Sequence, residues 1–189
     1  GTISQEAKDG WTGIVAAVGN DPTIYPETSN NMKDMIHGIH AGSSRTSPFK
    51  EVRDRAASSV YFTAETFVFP GILKRCDQCH ISTASYTTIP AGAQVTTNAT
   101  TNGTAIDLTN NVAVIGAART SLPNATDLVT TPFTATCVSC HDLPSSVAHM
   151  KQNGGQIRVL RSAADPANEA CITCHGSTGT ASVFNNHRY

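Results

Sequence analysis

Three times along this chain, two cysteines stand two residues apart with a histidine directly after them. The pentads are Cys76-Asp77-Gln78-Cys79-His80, Cys137-Val138-Ser139-Cys140-His141 and Cys171-Ile172-Thr173-Cys174-His175. A CxxC pair alone serves a zinc site, a redox dithiol or a disulfide. The histidine separates these readings. Only 7 of 189 residues are histidine, so its presence in that place three times over has chance odds on the order of 5 × 10⁻⁵. All six cysteines fall inside the pentads, whereas zinc would join CxxC pairs in twos. The spacing is that of covalent c-type haem attachment, in which two thiols bond the porphyrin and the adjacent imidazole reaches the iron. Three c-type haems are therefore expected. Cys76, Cys79, Cys137, Cys140, Cys171 and Cys174 would tether them, and His80, His141 and His175 would be the proximal iron ligands.

Four histidines remain: His37, His40, His149 and His187. A second imidazole on each of three irons needs three of them, which leaves one to spare. Methionine ligation, through Met35 or Met150, would leave more. An iron with both axial positions filled has no place for substrate, so it moves electrons rather than making or breaking bonds. The count therefore predicts an electron-transfer protein and not an enzyme. The alternative is a reductase- or peroxidase-like haem enzyme with one five-coordinate iron, and a zinc-binding structural module is the third reading.

The expected fold is mostly irregular, with a few short helices, minor β structure and the haems forming the core. At 189 residues the chain is sized for one domain, 1–189, and its 6% aromatic content builds only a thin core unaided. Residues 1–28 read as an N-terminal packing segment around Trp11, Ile14, Val15 and Val18. Residues 30–41 predict a helix capped by Asn30 or Asn31 and stopped by Gly42, with Met32, Met35, Ile36 and Ile39 as its buried stripe. His37 and His40 stand at i and i+3 on that helix. A short helix is expected near Phe49–Ala57, then extended pieces at Val60–Phe62 and Phe67–Phe69. Residues 81–136 form a haem-free Thr/Asn-rich insertion of short strands, with a turn at Pro90–Gly92, making outer surface. Pro144 opens a helix through His149 that Gly154-Gly155 stops, and Asp165-Pro166 starts a short one before the third pentad.

The net charge of −1 and the 14% content of charged residues carry no nucleic-acid footprint and no polybasic membrane contact. Arg45, Lys50, Arg53 and Arg55 are either partners for haem propionates or a solvated basic face. No apolar run is long enough to span a bilayer, so no membrane insertion is expected. The chain opens on Gly1 rather than Met, with no cysteine nearby for a lipid anchor. A processed, exported, soluble protein is the expectation, extracellular or at the cell surface, with the periplasm as the alternative.

Several longer phrases go beyond CxxCH: MIHGIHAG at Met35–Gly42, FPGILKRCDQCH at Phe69–His80, AHMKQNGG at Ala148–Gly155, and CITCHG at Cys171–Gly176 with His187 trailing. They resemble the OmcA/MtrC family of outer-membrane multihaem cytochromes, in order over roughly residues 30–187, like the last three haem sites of one five-haem domain. The resemblance implies extracellular electron transfer to minerals and other acceptors through closely spaced bis-histidine haems, with His37, His40, His149 and His187 as distal ligands. Calcium is a further cofactor it admits, although no carboxylate cluster here has a recognisable loop pattern. Two motifs that precede MIHxIH in the family are missing, so one of His37 and His40 is expected to have lost its haem. The family's lipid anchor also has no counterpart. A free carrier or a self-associating homopolymer, exchanging electrons with other redox proteins or extracellular acceptors, is the expected state. In a homopolymer the haems would meet across subunit contacts, and His187 is placed to reach into a neighbour.

Overall fold

The computed structural model of the chain describes residues 31–46, 50–55, 58–64, 66–82, 93–99 and 123–187, with only the backbone of 50–55 and 58–63. The expected packing of Trp11, Ile14, Val15 and Val18 and the turn at Pro90–Gly92 lie outside these residues.

The described architecture is short helices and two small antiparallel sheets set in mostly irregular chain, as expected. Helix α1 runs Met32–Ala41. The Asn31 side chain accepts from the Lys33 amide at 3.0 Å, relieving one of the unsatisfied N–H groups of the first turn. Gly42, at φ +38°, ends the helix, and any side chain there would strike the Phe67 carbonyl. The predicted stripe is covered only in part: Met35 and Ile39 are half-buried, while Met32 is 68% and Ile36 44% exposed. Asp34, Gly38 and Ala41 are the buried residues of α1. Gly38 and Ala41 are small, which allows close packing on that face.

Strands β1 (Lys50–Arg55) and β2 (Ser58–Thr63) form a hairpin, with Val52 opposite Tyr61 and Arg53 opposite Val60. Within the short helix expected near Phe49–Ala57, residues 50–55 are thus a strand, because the backbone pairs with β2 along its whole length. Phe67–Phe69 carries no strand pairing.

Three further strands, β3 (Thr96–Ala99), β4 (Leu128–Thr130) and β5 (Val159–Leu160), make one sheet with β4 in the middle. Leu128 faces Leu160, Val129 faces Val159, and the β3 register shifts between Thr97 and Ala99. Leu128, Val129 and Thr96 are fully buried. The described end of the 81–136 segment is therefore interior rather than outer surface, because β4 is flanked on both edges.

Strand β4 leads through Thr131 into helix α2 (Pro132–Val138), which carries Cys137. The cap of α2 comes from far along the chain. The Glu169 carboxylate accepts from the Phe133 amide at 2.9 Å, the Thr134 amide at 2.7 Å, the Thr134 hydroxyl at 2.6 Å and the Thr131 hydroxyl at 2.7 Å. A carboxylate at a helix N-terminus satisfies orphan N–H groups and meets the positive end of the dipole. Glu169 lies two residues before Cys171, so this cap fastens the second CxxCH motif to the third.

Helix α3 (Pro144–Gln152) starts on its proline and ends at Asn153, as the sequence predicts. Gly154 follows at φ +88°, where a Cβ would run into the Asn168 carbonyl. Only glycine lets the turn at 166–168 sit this close. Asp165 caps that single 3₁₀ turn, and α4 (Ile172–His175) follows. The last helix, α5, is Val183–Asn186. Among the described residues no helix is long and apolar enough to cross a membrane.

The protein's own apolar core is thin. The buried apolar residues among those described are Leu128, Val129, Met150 and three alanines, against ten buried polar ones. Burying a Leu, Val or Met contributes roughly 2 kcal/mol, little against the ordering cost of a chain this long. The fold leans on hydrogen bonds such as those at Glu169. Glu169→Ala is expected to destabilise the protein by about 2–3 kcal/mol, with Glu169→Gln losing less because its amide oxygen still accepts. Thermal melts of the purified protein measure both. Gly154→Ala is expected to cost at least about 1–2 kcal/mol in the same assay.

Candidate haem sites

Each pentad closes on itself in the same way. The His80 amide donates to the Cys76 carbonyl at 2.8 Å, His141 to Cys137 at 2.7 Å and His175 to Cys171 at 2.9 Å. One helical turn thus puts both thiols and the imidazole of a motif together. The six cysteines form no disulfide.

Each motif histidine meets one histidine from elsewhere. His37 of α1 faces His80, with ring centres 6.1 Å apart and planes 18° from parallel. His187 faces His141 at 5.9 Å and 79°, and His149 of α3 faces His175 at 6.1 Å and 85°. An imidazole nitrogen binds a transition metal at about 2.0 Å with its ring centre about 1.1 Å behind, so two imidazoles across one iron have centres about 6 Å apart. The three separations fit that requirement. Among the described residues no group of three or more His, Cys, Asp or Glu is arranged to hold a metal ion.

His40 is the odd one. Its Nδ1 bonds the Ile36 carbonyl at 2.7 Å, and its ring meets the edges of Phe67 and Phe69, at 6.1 and 5.3 Å. It faces none of the motif histidines in these pairings. His40 is thus the histidine outside the three pairings of a motif imidazole with a second one.

Backbone bonds orient several of the paired rings. His187 Nδ1 bonds the Val183 carbonyl at 3.1 Å and His175 Nδ1 the Ala181 carbonyl at 3.0 Å. A proton assigned to Nδ1 by these bonds leaves Nε2 with its lone pair outward, as a ligand requires. Asn153 reaches back to the His149 carbonyl at 2.8 Å and its amide lies 3.4 Å from His149 Nδ1. His37 Nδ1 is buried beside the Lys33 backbone. Burial, followed by the neighbouring His80, pushes the His37 imidazole below its ordinary range. Burial and then His187 do the same at His141. Both shifts favour neutral, metal-competent rings at neutral pH.

The motifs also adjoin one another. Burial raises the Cys137 thiol to about 12, with Cys171 the next contributor. Burial raises Cys140, with Arg45 opposing and Cys76 adding to the rise.

Bare apolar surface accompanies the motifs. Met32 and Ile36 lie on the helix of His37; Phe67, Val68, Ile72 and Leu73 precede the first motif; Ile81, Leu143 and Ile172 adjoin or lie within a motif. Together they make up the exposed large apolar side chains of the described residues. Flat apolar groups at the motifs would cover surface of this kind. With the paired imidazoles, this fits the residues to a haem at each pentad.

Sequence reasoning missed Glu169 and misread Arg45. Arg45 is on no solvated face: its side chain is 1% exposed and lies 3.8 Å from Asp142. The side chains of Lys50, Arg53 and Arg55 lie outside those described. Met150 is buried in the core and Met35 is half-buried on α1.

The family model described as outer membrane cytochrome MtrC/MtrF-like, domains II/IV, matches residues 16–188. No curated protein and no solved structure matches the chain. The matched span takes in all three pentads and all four further histidines. The chain belongs to the MtrC/MtrF-like family of outer membrane cytochromes.

Proposed function

We propose that this protein transfers electrons outside the cytoplasm through three c-type haems, each held by one pentad and a second histidine. The observation that carries the reading is the set of three imidazole pairs, each with ring centres about 6 Å apart. Cys76 and Cys79, Cys137 and Cys140, and Cys171 and Cys174 would be the tethers. His80 with His37, His141 with His187, and His175 with His149 would be the axial ligands. A bound haem supplies a one-electron ferric/ferrous couple. With an imidazole on both faces, the protein leaves no position for a substrate, which supports transfer over catalysis.

The neighbour relations support an order. We place the His141 site between the other two, an order supported by the electrostatic influence of Cys171 on Cys137 and of Cys76 on Cys140. Electrons would enter near His80 and leave near His175, or the reverse. Self-association end to end into a conducting polymer is part of the same proposal, with extracellular or cell-surface placement in keeping with the family. Other redox proteins or extracellular acceptors would take the electrons. Calcium has no residues assigned to it.

Intact-mass analysis of the native protein is expected to show three covalent haems, and fewer or none would contradict the reading. His37→Ala, His149→Ala and His187→Ala are each expected to turn one haem of three high-spin in electron paramagnetic resonance, while His40→Ala leaves all three low-spin. A high-spin signal from the unaltered protein would instead favour the enzyme reading. Electron microscopy of the native material is expected to show filaments with a regular repeat. Discrete particles would mean a soluble carrier.

A further inference from the structure

The loop after α1 is fastened to the second pentad at five points. Arg45 Nη1 donates to the Val138 carbonyl at 3.2 Å and also to the Ser139 carbonyl. Its Nη2 lies 3.8 Å from Asp142 Oδ2, with both side chains almost wholly buried, 1% and 5% exposed. The Thr46 amide donates to Asp142 Oδ1 at 3.1 Å, and the Thr46 hydroxyl to the Asp142 carbonyl at 3.4 Å. Val138 and Ser139 are the two residues between the cysteines, and Asp142 follows the iron ligand directly. The guanidinium therefore grips the pentad on both sides of His141.

Two physical consequences follow. The carbonyls at the C-terminal end of α2 carry the negative end of the helix dipole, and a buried cation there is favourable. The same cation also acts on whatever charge changes beside His141. Within a protein such charges are weakly screened compared with water. Gain of an electron at that site removes one positive charge, which a nearby guanidinium favours and a nearby carboxylate opposes. Arg45 and Asp142 are thus an opposed pair acting on the His141 site.

We infer that Arg45 is a positioning and potential-setting residue for the second haem: it holds the Cys137–Asp142 turn in place and keeps the Asp142 charge from driving that site oxidised. The inference rests on the haem reading above and assigns one residue to one of its three sites. The fork of the guanidinium matters to the first role, since it reaches two carbonyls and a carboxylate at once. Its charge matters to the second.

The test is redox titration of the haem-loaded protein, followed by electron paramagnetic resonance, with the second haem identified as the one that His187→Ala makes high-spin. Arg45→Gln is expected to lower the ferrous share of that haem about three- to tenfold at a fixed applied potential, with the other two moving less. Arg45→Lys, which keeps the charge and loses the fork, is expected to stay near the unaltered protein. Asp142→Asn, which keeps an acceptor for Thr46, is expected to raise the ferrous share of the same haem. It carries the test if Arg45→Gln does not fold. The inference is overturned if Arg45→Gln or Asp142→Asn leaves the second haem titrating as before, or if all three haems shift together. A protein without three haems would instead overturn the reading on which this rests.

Discussion

Two imidazoles on opposite faces of one iron have to be held with their centres about 6 Å apart. This chain meets that constraint three times between residues distant in sequence: 37 with 80, 141 with 187, and 149 with 175. Much of the described structure serves it. Helix α1 carries His37, α3 carries His149, and α5 ends just before His187. The small sheet delivers β4 into α2 and so sets the second pentad.

Side chains that hold these elements in relation are polar and bind between motifs rather than within them. Glu169 caps α2 from the approach to the third pentad. Arg45 ties the helix of His37 to the second pentad. Asp127 and Arg161, 3.4 Å apart, join β4 to the turn after β5. A protein with six buried apolar residues among those described has to be organised in this way. The dominant favourable contribution to folding is normally apolar burial, and here the apolar surface lies largely bare beside the pentads. On the proposed reading the porphyrins would cover it, so haem attachment and folding would be coupled as metal binding and folding are in other small domains.

What was legible in the sequence is what is local. The pentads, the Asn31 cap and Gly42 stop of α1, the Pro144 start of α3 and the Gly154 turn each depend on a few neighbouring residues. The surplus of one histidine could be counted, but its identity could not. That required knowing that His37 faces His80 while His40 turns to Phe67 and Phe69. Strands β1 and β2 pair across the chain, and the local pattern near 50–55 carries no sign of that partner. The stripe on α1 was assigned inward by a rule that assumes protein covers apolar side chains, whereas Met32 and Ile36 face out. Arg45 and Glu169 escaped because their partners lie 93 and 35 residues away, and a lone charged residue in sequence gives no sign of such a bond.

The most direct test of the account is an experimental structure of the haem-loaded protein. The account predicts three irons, one between His37 and His80, one between His141 and His187 and one between His149 and His175, with His40 bound to none of the three. An iron ligated by His40 in place of His37, by a methionine, or by one imidazole alone would contradict it.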